Sequence, residues 1–246
     1  MSEHRAMNSD LQHEYLKAMG IQQWVARNSD AGSDADVAVD VPAVGQVPAE
    51  TLPDWQALEA QVSACTRCAL HEGRTQTVFG AGNRNADWMI IGEAPGADED
   101  KQGEPFVGRA GQLLDEMLLA AGYRRSDVYI ANILKCRPPG NRDPSADEVA
   151  CCQPYLLQQI ALIQPTLILA VGRIAAHKLL HTTTQVGRLR GTVHHFGEQE
   201  IPLIVTYHPA YLLRSPLEKR KVWEDLRFAQ AVYKQQLAGQ AGNYRL

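Results

Sequence analysis

Five cysteines and a few polar residues in Gly/Pro-shaped segments carry most of the chemistry open to this 246-residue sequence. Cys65 and Cys68 form a C-x-x-C pair, CTRC; Cys136 stands in LKCRPPGNRDP, and Cys151 and Cys152 stand side by side before QPYL. Thiolates two residues apart can grip one metal centre from a single turn, and later thiols must be brought in by the fold. A local pair with two distant partners therefore predicts a metal cage that staples the start of a domain to its middle. Buried free thiols, acting as small hydrophobes, are the competing reading. The odd count leaves one thiol to spare.

The elements that must position these residues alternate. Strand-like apolar runs at 88–91, 128–134, 167–171 and 203–207 are separated by helical patterns at 110–121, 146–163, 174–180 and 217–235. Four strand–helix repeats predict an α/β fold, a three-layer α/β/α arrangement around a central four-stranded parallel sheet. In such sheets ligands bind beyond the carboxyl ends of the strands. The segments just after the runs are GEAPGADED, NILKCRPPGNR, VGR and YHPAYLLR, so polar, turn-forming chemistry gathers at one edge. Asn132 and His208 fall at the ends of different strands, where an amide and an imidazole can face one ligand. No Ser-His-Asp order, P-loop or HExxH helix competes with that pocket.

Upstream, residues 1–27 contain a short amphipathic stretch, residues 28–54 read as a flexible acidic linker, and residues 55–240 form the globular domain. Nothing resembles a signal peptide or a membrane span, so the cytoplasm is the expected compartment, with thiols kept reduced. The net charge of -4 hides an asymmetry: residues 1–55 hold nine acidic and three basic side chains, leaving 19 acidic and 21 basic beyond them. Basic residues gather as Lys135, Arg137 and Arg142; as Arg188 and Arg190; and as Arg214 with Lys219, Arg220 and Lys221. Solvated surface charge is the default reading of each stretch.

Taken in order, GEAPGADED, GEPFVGRAGQLLDEML, NILKCRPPGNRDP, CQPYL and HPAYLLR resemble the motifs of family 4 uracil-DNA glycosylases, the iron–sulfur branch of bacteria and archaea. The likeness covers about residues 60–236. It implies a monofunctional enzyme that hydrolyses the N-glycosidic bond of deoxyuridine in DNA and leaves an abasic site for base excision repair. It also implies a 4Fe–4S cluster on Cys65, Cys68, Cys136 and Cys152, because the family's last ligand stands two residues before a proline; zinc in the same cage is an alternative.

By the same resemblance, Phe106 stacks on the extruded uracil and Asn132 reads its Watson–Crick edge, an amide that pairs with uracil but would face a donor in cytosine. His208 stabilises charge on the departing base; of the candidate carboxylates Glu93 and Glu99, Glu99 either positions the attacking water or blocks the 5-methyl of thymine, while Glu93 lines the pocket. Ala94 stands where better-known uracil glycosylases carry an aspartate, and with Pro95 it lines the pocket. Leu212 is the implied wedge into the base stack; Arg137, Arg142 and Arg214 are the implied phosphate contacts. A core phenylalanine, a strand-end cap, a structural histidine and a core helix are the bland readings of Phe106, Asn132, His208 and Leu212.

The competing function is an iron–sulfur-stapled DNA-binding or interaction protein with an inactive pocket. Residues 11–27, with YLKAMGIQQW, resemble the leading peptide of the psi subunit of the bacterial replicative polymerase, which implies docking on the clamp loader; a helix packed on the body is the alternative. A monomer is expected.

Overall fold

The computed structural model describes residues 54–242. The expected amphipathic segment 1–27 and the acidic linker lie outside those residues, apart from Asp54. That residue caps the first helix, its carboxylate accepting from the Ala57 N–H at 2.7 Å.

Six strands form one mixed sheet in the order β1-β3-β2-β4-β6-β5: β1 Ala81–Gly82, β2 Trp88–Gly92, β3 Tyr129–Asn132, β4 Leu167–Val171, β5 His194–Phe196 and β6 Ile201–Thr206. The four central strands β3, β2, β4 and β6 pair in parallel. They are the four expected apolar runs, buried on both faces as a covered parallel sheet requires. The sheet is nevertheless larger than the four strands expected. β1 and β5 add antiparallel edges, and these two- and three-residue strands carry no sustained apolar alternation that the sequence could have betrayed.

Period-two alternation along the strands divides the core in two. Met89, Ile91, Ala131, Ile168, Ala170, Leu203 and Val205 face one layer, built from α1 Trp55–Ser63, α5 Ala146–Ile163, α6 Arg173–Leu179 and α7 Val186–Leu189. Trp88, Ile90, Ile130, Leu169, Val171 and Ile204 face the other, built from α4 Arg109–Ala120, α8 Pro209–Arg214 and α9 Lys219–Gly242. Two short helices complete the order, α2 Leu70–Gly73 and α3 Ala97–Gln102. The helix at 146–163 matches its expected bounds because Ser145 and Glu148 form a capping box at its start.

Because the chain leaves β2 towards β3 on one side and reaches β4 on the other, the crevice between those neighbours opens at their carboxyl ends. The register sets Gly92 beside Asn132 there, and Val171 beside Thr206. No helix among the described residues is long and apolar enough to cross a membrane.

Candidate active site

Asn132 ends β3 and Phe106 lies in the loop between α3 and α4; the two meet over Gly92. A Cβ at position 92 would stand 2.4 Å from the Asn132 side-chain oxygen and 2.7 Å from the Phe106 ring, so this convergence requires glycine. Asn132 is 2% exposed, and its side-chain oxygen has no hydrogen-bond partner among the described residues. A buried acceptor without a donor costs free energy unless a ligand satisfies it. The ordinary strand-cap reading of Asn132 would have supplied such a partner.

Phe106 is held in the left-handed backbone region at φ 54°, a strained geometry for a bulky side chain. Arg125 fixes it there by donating to the carbonyls of Pro105 and Phe106 while pairing with Asp115 at 3.0 Å. Glu99 fastens the loop from the other side. Its carboxylate accepts from the backbone N–H groups of Gly96 at 3.1 Å, Val107 at 3.0 Å and Gly108 at 3.1 Å. Glu99 is thus a latch on the Phe106 loop, whereas the Glu93 carboxylate lines the same pocket, its pKa raised by burial and by Asp143 against the opposing pull of Arg173.

The Phe106 ring stacks on His208, centroids 5.5 Å apart and planes 29° apart. His208 is the N-cap of α8, and its Nδ1 accepts from the Ala210 N–H at 3.1 Å. An accepting Nδ1 leaves the ring proton on Nε2, so the free nitrogen is a donor. Burial, and then the charge of Arg214, push the histidine pKa down to about 4, so the ring is neutral at neutral pH. Gly172, at φ 92°, gives His208 its room; a Cβ there would stand 2.9 Å from the histidine Cβ.

Ala94 and Pro95 line the same cavity with Glu93, Glu99, Phe106, Asn132 and His208, as do Arg142 and Arg214. Arg142 is also committed to structure: its guanidinium grips Glu148 through two hydrogen bonds, at 2.9 and 2.6 Å. Arg137 lies outside the pocket lining and donates to Asn141 at 2.7 Å. Leu212 is fully buried in the second core layer, on the face of α8 that packs against the sheet and α4. Its neighbour Leu213, 38% exposed, is the leucine this short helix presents to solvent.

A second correction concerns the basic stretches. Lys135 is 1% exposed, donating to the Asn132 carbonyl at 3.0 Å and to Gln159 at 2.6 Å. Burial pushes its pKa down to about 8, against the pull of Cys152. Arg190 is likewise drawn inward, paired with the buried Asp225 at 2.7 Å. Neither is solvated surface charge, because each is needed by a buried acceptor the sequence does not reveal. Sequence reasoning also missed Arg125, which lies some twenty residues from the loop it holds, and the aromatic residues Tyr207 and Tyr211 at the pocket's outer wall.

Cys65, Cys68, Cys136 and Cys152 line one small cavity, joined by Cys151, Arg74 and Lys135. Arg74 donates to the Cys136 sulfur at 3.1 Å, and the Lys135 N–H to that of Cys152 at 3.2 Å. Burial raises the thiol pKa of Cys68 and Cys136 and pushes that of Cys152 up to about 11. Among the described residues no three His, Cys, Asp or Glu groups meet at one ion-sized point. Four thiols lining a shared space, two of them accepting N–H groups, are the kind of donor set that holds an iron–sulfur cluster.

Residues 79–227 match the family model of the uracil DNA glycosylase superfamily. A type-4 uracil-DNA glycosylase of Archaeoglobus fulgidus is 43% identical over 173 residues, 68% of this chain and 87% of the relative. One of Thermotoga maritima is 43% identical over 180 residues, 72% of this chain and 93% of the relative. A type-5 uracil-DNA glycosylase of Pyrobaculum aerophilum is 32% identical over 149 residues, 53% of this chain and 64% of the relative.

Proposed function

The chain belongs to the uracil DNA glycosylase superfamily, among relatives of the type-4 branch, and from that premise we propose that it hydrolyses the N-glycosidic bond of deoxyuridine in DNA, releasing uracil and leaving an abasic site. The observation that carries the proposal is the unpartnered side-chain oxygen of Asn132, buried beside the Phe106 ring and facing the same pocket as His208. Uracil offers what that acceptor lacks, its N3–H, and its O4 accepts from the amide nitrogen. Cytosine presents an acceptor and a donor in the reverse order and leaves both groups unsatisfied.

Phe106 supplies the stacking face for the extruded ring. As the glycosidic bond breaks, electrons move to the base and accumulate at O2 and N1. A neutral His208 donating from Nε2 stabilises that anion more than the bound ground state. The sugar becomes cationic at the same time, and Glu93, free of the backbone bonds that engage Glu99, is the carboxylate suited to face it and orient the attacking water. Leu213, exposed at the rim, fits the wedge that fills the vacated stack, and Arg214 fits a phosphate contact.

Cys65, Cys68, Cys136 and Cys152 are the ligands this reading assigns to a 4Fe–4S cluster. When bound, the cluster supplies thiolate–iron bonds that cross-link the α1–α2 region to the β3 end and to α5. The segment at 11–27 belongs to the same reading as a tether to the replication clamp loader. A clamp-loader pull-down unchanged by deletion of residues 1–27 would remove that tether without touching the enzyme.

The deciding experiment incubates cluster-loaded protein with a uracil-containing oligonucleotide and reveals abasic sites with alkali. Wild type should cleave, while Asn132→Ala and His208→Ala should each lose roughly 100-fold or more in rate. No cleavage by the wild type would favour a DNA-binding protein with an inactive pocket.

A further inference from the structure

The cavity that ends at Asn132, Phe106 and His208 holds about 830 Å³ of space, far more than one pyrimidine ring needs. Its outer part is lined by Gln185, Val186 and Gly187 from the start of α7, and by Tyr207, Tyr211 and Arg214 from the β6–α8 segment. None of these side chains is used in reading uracil.

Tyr207 and Tyr211 pack on one another, ring centroids 5.1 Å apart and planes tilted by 40°. Tyr207 is braced from behind by Arg190, whose guanidinium carbon lies 5.0 Å from the ring centroid. Arg190 is itself fixed by Asp225 at 2.7 Å and by the Lys221 carbonyl at 2.5 Å. The Asp225 carboxylate also accepts from Thr206 at 2.6 Å, at the end of β6. A buried ion pair thus holds a partly exposed aromatic pair at the mouth of a base-sized slot. Aromatic faces with a cation beside them bind nucleobases by stacking and tolerate any base identity, because every base has a π-face.

We infer that Tyr207 and Tyr211, with Arg214, form a second nucleobase subsite, which stacks the base adjacent to the extruded uracil in the same strand. The inference rests on the glycosylase reading and adds to it a two-nucleotide footprint: uracil in the inner slot, its neighbour against the tyrosines. Tyr211 lies on α8 just beyond His208, so the outer base packs close to the group that acts on the inner one. A neighbour stacked on protein is no longer stacked in duplex, and the subsite therefore favours uracil in single-stranded or frayed DNA.

The test uses oligonucleotides in which the nucleotide on the 5′ or on the 3′ side of uracil is replaced by a base-less tetrahydrofuran residue. For wild type, replacement on one side should raise KM about tenfold, the scale of one lost stacking contact. Tyr211→Ala should show the raised KM already on the ordinary oligonucleotide, with no further rise on replacement, while Tyr211→Phe should keep the wild-type dependence. Gly187→Val, whose added bulk approaches the Tyr207 hydroxyl, closes the subsite with both tyrosines present and should reproduce the Tyr211→Ala result. Wild type indifferent to both replacements, or Tyr211→Ala retaining the dependence, overturns the subsite and leaves the glycosylase intact. Absence of uracil release from the ordinary oligonucleotide overturns the enzyme reading and the subsite with it.

Discussion

A methyl group at position 92 would collide with two residues of the base slot at once. Gly92→Ala must displace Asn132, Phe106 or both, and overpacking of this kind costs about 1–3 kcal/mol. The expected outcome is a modest fall in the denaturant midpoint together with a much larger fall in uracil release; an alanine variant with wild-type kinetics would contradict the convergence described. His208 contributes a pH dependence of its own. Its folded pKa, about 4, lies below the ordinary value of 6.5, so the unfolded chain takes up the proton first. Stability contributed at this position is complete above about 6.5 and declines as the pH falls towards 4. The active neutral ring persists over the same range, and protonation near 4 removes the acceptor that Ala210 uses. Glu93, whose carboxyl titrates above its ordinary value, should meet the acid limb of kcat/KM first; an NMR titration of the His208 ring should centre near pH 4, and one centred near 6.5 would show an unburied histidine. Asn132 and His208 were both legible as chemistry-bearing strand ends. The division of labour between Glu93 and Glu99 was not, since it depends on backbone N–H groups eight and nine residues further along the chain.

Among the elements, the segment from Cys136 to α5 shows how a loop that shapes the pocket mouth is held. Glu148 at the third position of α5 accepts from the Ser145 N–H at 2.8 Å and from both arms of Arg142. The Arg142 hydrogen bonds, more than any other cause, hold the Glu148 pKa down to about 2, against 4.5 for the free carboxyl. With a folded pKa below the unfolded one, this carboxylate stabilises the fold fully above about 4.5 and loses that contribution as the pH falls to about 2. Glu148→Gln should consequently lower the urea midpoint at pH 7 but not at pH 2, and an equal loss at both values would mean that shape, not charge, matters there. Helix α8 teaches a related lesson. Leu212 and Leu213 are indistinguishable as a Leu-Leu pair in sequence, and only the packing of one face of the helix on the sheet buries Leu212 and leaves Leu213 partly exposed.

At the scale of the whole domain, the proposed cluster would join three stretches of chain whose thiols line one cavity: the turn after α1, the segment after β3, and α5. Loss of one ligand should remove both the visible absorption of an iron–sulfur cluster and several degrees of thermal stability, because a cross-link that spans long loops is lost with it. Cys136→Ala should show both effects. Cys151→Ser should keep the absorption, and a colourless Cys151→Ser protein would show that the adjacent thiol is the true ligand.

The alternation of the four central strands with the longer helices, the parallel core of the sheet and the edge at which its polar residues gather followed from the sequence, because apolar period and chain order are local and one-dimensional properties. Three further features were decided by tertiary structure. Short edge strands form where a buried strand offers them unpaired backbone groups, not where their own residues prefer β structure. Lys135 and Arg190 leave the surface because acceptors distant in sequence, Gln159 and Asp225, are buried beside them. The pocket is a meeting of four strand ends, and the protonation of His208, the orphaned oxygen of Asn132 and the aromatic pair beyond them depend on burial and contact between residues far apart along the chain. Such contacts exist only once the chain has folded.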